Sequence, residues 1–227
     1  MKTREKFLVR GAALASIVSA LAIIASVFII MGDIVAGGAG HLSWKFLTGE
    51  PTQGMTAGGI FPAIFGTFML VLIMSVGGIP VGTITAVYLA EYASRHSLLA
   101  RFVRFAVASL AGVPAIVFGL FGLGFFVQFV GSGMDGIFSG EGKLVWGQPN
   151  ILWASLTMAL LTLPVVIISV EEAIRAVPRE LREASLALGA TKWQTIRKVV
   201  LPNAVTGIMT GGILAVSRGA GEVAPIL

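Results

Sequence analysis

Apolar residues in this chain run in long unbroken stretches, separated by connections that collect nearly all of the charge. A helix or strand on the surface of a soluble protein shows a polar face at a period of 3.6 or 2, and that face is missing here. About 20 predominantly apolar residues are needed for a helix to cross the hydrocarbon core of a bilayer. Five stretches reach that length, near residues 11–31, 60–90, 102–130, 150–170 and 203–227. The pattern predicts an all-α, polytopic transmembrane bundle forming a single domain over residues 1–227, with one long charged loop at 171–202.

The stretches differ in detail. The first follows Lys2, Arg4, Lys6 and Arg10, as a secretory signal would, but its apolar run exceeds the ~7–15 residues of a signal core, so it is expected to be a retained anchor. The second holds Gly77, Gly78 and Pro80, where a kink or break is expected because proline removes a backbone donor and crowds the preceding turn. The third contains Ala111-Gly112-Val113-Pro114-Ala115, and the fourth carries Pro164. The fifth begins near Asn203 and is still apolar at Leu227, which reads as a chain cut short within its membrane region. Glycine and proline in membrane spans either let helices pack closely or break helices that line a substrate path; composition favours packing.

Composition narrows the chemistry. Of 227 residues, 56% are hydrophobic and 12% charged, against roughly 25% charged in an ordinary soluble domain, so lipid is the expected solvent. The net charge of +5 sits at the ends of the apolar stretches, as membrane topology requires, and no nucleic-acid-binding motif accompanies it; no nucleic acid is expected as a partner. Cysteine is absent, which excludes disulfides, thiolate metal sites and cysteine nucleophiles. His41 and His96 stand alone in polar connections and are expected to be solvated rather than metal ligands. No Gly-x-x-x-x-Gly-Lys-Ser/Thr loop occurs, so the chain is expected to bind no nucleotide and to carry no cofactor of its own.

Basic residues also give an orientation. The N-terminal tail and the connections with Arg95, Arg101 and Arg104, and with Arg175, Arg179, Arg182, Lys192, Arg197 and Lys198, are rich in them; the other two connections have only Lys45 and Lys143. The alternation places the N-terminus and the 171–202 loop in the cytoplasm. The glycine-rich connections bearing Trp44 and Trp146 then face outward.

The 171–202 loop reads as two short helices. Pro178 suits a first turn, Glu180 and Glu183 lie early where the helix dipole favours anions, and Gly189 supplies a left-handed stop. Leu181, Ala184, Ser185 and Leu188 are expected on one face, with Arg179, Arg182 and Glu183 elsewhere. Thr191-Lys192-Trp193-Gln194 has the capping-box pattern opening a second helix, which is expected to end near Pro202. The alternative is an ordinary amphipathic pair resting on lipid headgroups.

Glu183-Ala184-Ser185, three residues, Gly189, nine more residues and then Val199-Val200-Leu201-Pro202 resemble the EAA motif of bacterial ABC import permeases. The departures are Ser185 for alanine and Val199 for isoleucine. Three further strings, Gly58 to Thr67, Ala111 to Leu120 and Ser217 to Pro225, resemble the phosphate-specific PstA type, whose members have six spans. The resemblance implies a type I, MetI-like permease in a bacterial inner membrane, paired with a second permease and served by two copies of a separate ATPase and an extracytoplasmic phosphate-binding protein. Glu183, Ala184, Ser185, Gly189, Leu201 and Pro202 would then form the coupling segment seated on the ATPase, where MgATP would bind. The EAA loop does not separate this reading from the paralogous PstC type or from a permease for sulfate or molybdate. The alternative of another class is a membrane scaffold that transports nothing, which would purify without an ATPase.

Arg218 and Glu222 have chemical content of their own. Each charged side chain in a membrane segment costs about 2.5–3.5 kcal/mol on insertion scales, so such residues usually face a polar interior. At i and i+4 they can pair with each other as a structural brace. Alternatively, Arg218 offers its fork of donors to an oxyanion in transit while Glu222 holds it between turnovers.

Overall fold

The computed structural model describes residues 2–94, 97–138 and 144–222. Arg95, His96, Lys143, the side chains of Lys2, Arg4 and Lys6, and the terminal string from Val223 onward lie outside the described residues. The chain divides into two units, Met1–Ile64 and Phe65–Leu227. Among the described residues, five helices are long and apolar enough to span a membrane: Ala13–His41, Phe61–Tyr92, Ala115–Phe138, Ile151–Ala176 and Lys192–Gly221.

The first unit opens with helix α1 (Lys2–Gly38), whose described side chains are exposed; His41 just beyond it is exposed too. Then come a short helix α2 (Trp44–Thr48) and two strands, β1 (Pro51–Thr52) and β2 (Ala57–Gly58). The strands pair antiparallel, Pro51 with Gly58 and Thr52 with Ala57, a small departure from an all-helical chain. The Ser43 hydroxyl caps α2 by accepting the Phe46 N–H at 3.2 Å. Gly58 has a φ of +92°, and a Cβ there would lie 2.2 Å from the Glu50 carbonyl oxygen. Only glycine lets this connection fold back on itself.

The second unit is a helical bundle around α7 (Ile151–Ala176). The Asn150 side chain starts α7 by accepting the Trp153 N–H at 2.9 Å, and twelve of its residues are buried, from Trp153 to Ile174. Its buried hydroxyls cost little, because Ser155, Thr157 and Thr162 donate to the carbonyls of Ile151, Trp153 and Met158 one turn back. Around it pack α3 (Phe61–Val87), α4 (Leu98–Ala111), α5 (Ala115–Phe121) and α10 (Leu201–Gly221). Ala86, Leu89, Val166, Ile167, Val170, Ile174, Val200 and Ala204 belong to one dry core.

Close helix approach depends on small residues. On α10, Gly207, Gly211, Ala215 and Gly219 recur every fourth position and so share one stripe. A Cβ on Gly207 would sit 2.3 Å from the Cβ of Ala173, and one on Gly211 would sit 2.8 Å from that of Ser169. In lipid, apolar side chains gain nothing by leaving the solvent, so backbone approach of this kind supplies the packing. Gly82 of α3 meets Val166 in the same way.

Several elements differ from the sequence-based expectation. Helix α3 runs through Pro80 without interruption and ends in a wider π turn, Tyr88–Tyr92. The stretch 102–130 is not one helix: α4 stops at Ala111, and α5 restarts after Pro114. Proline disfavours helical backbone in the residue before it, here Val113. The third span continues through a π segment, Gly122–Gly131, into α6 (Ser132–Phe138). Helix α7 extends six residues past Val170, into the stretch expected to be loop.

Candidate functional site

The charged loop carries α8 (Arg179–Ala187) and α9 (Lys192–Thr195). No residue of α8 is buried. Glu183 and Ala184 are exposed, and so are Leu181, Leu188 and Trp193, with Leu188 90% exposed. This surface combines the carboxylates of Glu180 and Glu183, small alanine side chains and a scatter of apolar groups on a short helix with no buried residue.

Both ends of the turn after α8 are fixed by local hydrogen bonds. Gly189 N–H donates to Leu186 O at 2.9 Å and Ala190 N–H to Ser185 O at 3.2 Å, the paired bonds of a Schellman stop. That stop requires a left-handed residue, and Gly189 has a φ of +83°. The Thr191 hydroxyl then accepts the Gln194 N–H at 3.3 Å, while the Gln194 side chain accepts the Thr191 N–H at 2.8 Å. The Ser185 and Thr195 hydroxyls are 3.0 Å apart and join α8 to α9.

The face of α8 turned toward the bundle carries polar side chains, a direction that the sequence pattern left open. Arg182 and Ser185 point inward, while Leu181 and Leu188 stay exposed. Arg182 donates from Nη1 to Val177 O and from Nη2 to Ile174 O, both at 2.6 Å, and from Nε to Glu91 Oε1 at 3.1 Å. Ile174 O also accepts the Val177 N–H at 3.3 Å, and the guanidinium supplies further donors to the carbonyls at the end of α7, which helical bonding leaves under-satisfied; a leucine could not. Beside this contact, the Lys192 ammonium lies 4.9 Å from the centre of the Tyr92 ring, within cation–π range. Glu171 of α7 accepts from Arg104 of α4 and from Arg175, and Arg104 also donates to Leu89 O at 2.8 Å.

Leu201 and Pro202 do not end a separate helix, which is a second correction. Helix α9 passes through a π turn, Ile196–Val200, directly into α10, giving one continuous helix from Lys192 to Gly221. Proline lacks the N–H for the ordinary bond and crowds the carbonyl four residues back; a wider turn placed just before it relieves both problems. Ile196 and Val200 are buried in this turn and tie the loop to the core.

Arg218 and Glu222 lie at the other end of α10, far along the helix from Leu201 and Pro202. Their Nε and Oε1 atoms are 3.6 Å apart, with the side chains 41% and 21% exposed. Glu222 N–H closes α10 by donating to Gly219 O at 3.3 Å. A Cβ on Gly219 would lie 2.6 Å from the Met74 sulfur, so α10 and α3 touch beside the ion pair. Arg182, Glu91, Arg104 and Glu171 were not singled out as site residues from sequence. The signal was a carboxylate at each of two span ends with arginines nearby, but nothing in the sequence says which arginine meets which carboxylate.

In the Phe65–Leu227 unit, membrane-length helices pack around α7 with the short, unburied α8 between the last two, and this defines a class, the membrane subunits of transport systems. The chain belongs to the family of binding-protein-dependent transport system inner membrane components, whose sequence model matches residues 78–227. It is 36% identical over 207 residues to the probable ABC transporter permease protein YqgI of Bacillus subtilis, covering 91% of this chain and 65% of that one. Phosphate transport system permease protein PstA 1 of Mycobacterium tuberculosis strain H37Rv is 40% identical over 171 residues, or 75% of this chain and 50% of the relative. A crystal structure of the MetNI methionine ABC transporter in an inward-facing conformation superposes with a TM-score of 0.53 at 25% identity, covering 72% of this chain and 68% of that one. The chain thus spans half to about two thirds of the length of these curated relatives. Its fold is that of the MetI-like ABC transporter permeases.

Proposed function

We propose that the chain is the membrane-spanning permease subunit of an ATP-driven importer of inorganic phosphate. The observation that carries this reading is α8: a short helix with Glu183 and Ala184 exposed, rigidly terminated on its far side, and joined to two spans. A helix that must receive motion from a separate ATPase needs that combination, a surface open to docking and a return stiff enough to pass the displacement on. Glu183 offers a carboxylate to a basic group of the ATPase, Ala184 permits close approach, and Gly189 makes the return tight. MgATP binds in the ATPase and not in this chain. A second permease, two ATPase copies and an extracytoplasmic phosphate-binding protein complete the assembly, and the N-terminus and α8 lie in the cytoplasm of the bacterial inner membrane.

Phosphate as cargo is supported by the similarity to PstA 1, a phosphate transport system permease protein, and by Arg218. On α10 this arginine sits with its carboxylate partner at a helix–helix contact, 41% exposed in this chain. In transit, a phosphate oxyanion takes the guanidinium fork from Glu222, and Glu222 recovers it after release. The test is uptake of radiolabelled phosphate by cells carrying the complete transporter, with sulfate and molybdate as competitors. Arg218→Ala is expected to lower uptake at least tenfold while the ATPase still co-purifies; normal uptake in that variant overturns the role of Arg218, and competition by sulfate or molybdate instead of phosphate overturns the cargo.

A further inference from the structure

Helix α8 connects to α7 through Val177 and Pro178, two residues with extended backbone, at ψ of +127° and +141°. Helical hydrogen bonding stops at this joint, so a force applied to α8 would bend the joint before it moved a span. Arg182 lies across it. One guanidinium holds the Ile174 and Val177 carbonyls on the α7 side, and the same group holds Glu91 in the π turn that ends the second span. Both charged side chains are largely enclosed, at 19% and 12% exposure. Bonds from a charged donor to carbonyls and a carboxylate are the strong kind, and the planar fork fixes their direction.

We propose that Arg182 is a positioning residue for energy coupling: with Glu91 it splints the α7–α8 joint, so that displacement of α8 is delivered to the second and fourth spans together. The inference rests on the permease reading given above. Arg182 touches neither cargo nor nucleotide in this scheme and acts only through the elements it joins. Lysine in its place has a positive charge but a single nitrogen, which cannot serve two carbonyls and a carboxylate in fixed directions. Glutamine removes the charge as well. Removing Glu91 alone leaves the carbonyl bonds, so its effect is smaller.

The test uses the complete transporter reconstituted in liposomes, comparing wild type with Arg182→Lys, Arg182→Gln and Glu91→Gln. Co-purification of the ATPase and its rate of hydrolysis are expected to stay within about twofold of wild type. Phosphate moved per ATP hydrolysed is expected to fall about tenfold in Arg182→Gln, a usual size for coupling between distant sites, nearly as far in Arg182→Lys and less in Glu91→Gln. An unchanged ratio overturns the proposal, as does loss of ATPase binding in step with uptake, which a merely structural role would produce.

A second readout does not depend on the cargo. The chain has no cysteine, so Ala187→Cys on α8 and Ile84→Cys on α3 introduce a unique pair for spin labels. Their distance distribution is expected to be narrow in the otherwise wild-type chain and to broaden by several ångströms with Arg182→Gln, with or without nucleotide. Equal widths overturn the splint. If the wild-type complex moves no phosphate, the cargo reading fails while the label distances still decide the splint.

Discussion

The seam between α7 and α10 and the attachment of α8 are held by opposite means. At the seam, glycines and an alanine bring two backbones together in a dry core, and the contact is steric. At α8 no residue is buried, and the attachment is a guanidinium, a pair of hydroxyls and a capped turn. Dispersion contacts at the seam fall away steeply with a small displacement, so this pairing resists sliding. Hydrogen bonds at α8 are directional, so this attachment depends on donors placed opposite their acceptors.

The sharpest way to break the comparison is to add volume at the seam. Gly207→Val would drive its Cβ into Ala173, already only 2.3 Å from an added carbon. The expected cost is about 3 kcal/mol, the upper end for overpacking, read as a large fall in folded yield and in the thermal midpoint in detergent. Gly77 is the control, because nothing lies within 4 Å of a Cβ built there. Gly77→Ala is expected to be neutral or stabilising by up to about 1 kcal/mol, since alanine is the better helix former. Equal losses at Gly207 and Gly77 would mean that the seam is not steric.

The α8 side is tested with changes that leave the seam alone. Gly189→Val forces a β-branched residue to a φ of +83°, at a cost of about 1–3 kcal/mol confined to the turn. Ala184→Trp adds bulk to an exposed position. Ala184→Trp is expected to leave the thermal midpoint within a few degrees of wild type and Gly189→Val to lower it by roughly 2–12 °C, and both are expected to abolish co-purification of the ATPase. Retention of the ATPase by both variants would remove α8 from the docking surface.

Hydrophobic length, local signals and tertiary contacts were legible in the sequence to different degrees. Membrane solvation sets a length scale that a run of apolar residues must meet, which is why the spans could be read. Thr191 with Gln194 and Gly189 were readable because capping and left-handed turns are decided within a few residues. The Val113–Pro114 break was harder, since Pro80, Pro164 and Pro202 lie in continuous helix and only local packing and π turns separate the cases. Which face of α8 turns inward was not legible, because the residue pattern of a short helix groups side chains on faces without saying what each face meets. It has no way to weigh the acceptors at the end of α7, Ile174 O and Val177 O, which belong to a neighbouring element. The partners of Arg182 are fixed by tertiary structure, with Glu91 lying 91 residues away along the chain.

The smallest expected effect tests whether charge alone matters at this end of the bundle. Glu171 accepts from Arg175 at 2.6 Å and from Arg104 at 3.1 Å, so its carboxylate has two partners. Arg175 is 59% exposed, and water can replace what it gives. Arg104 also holds the Leu89 carbonyl, so its loss leaves two acceptors short of a donor. Arg175→Ala is therefore expected to change stability by no more than about 0.5 kcal/mol, and Arg104→Ala by about 1–3 kcal/mol, both read from thermal midpoints in the same detergent. If Arg175→Ala cost as much as Arg104→Ala, exposure would not be what separates the two arginines. Attachment at this end would then follow from net charge, rather than from donors placed opposite the acceptors they satisfy.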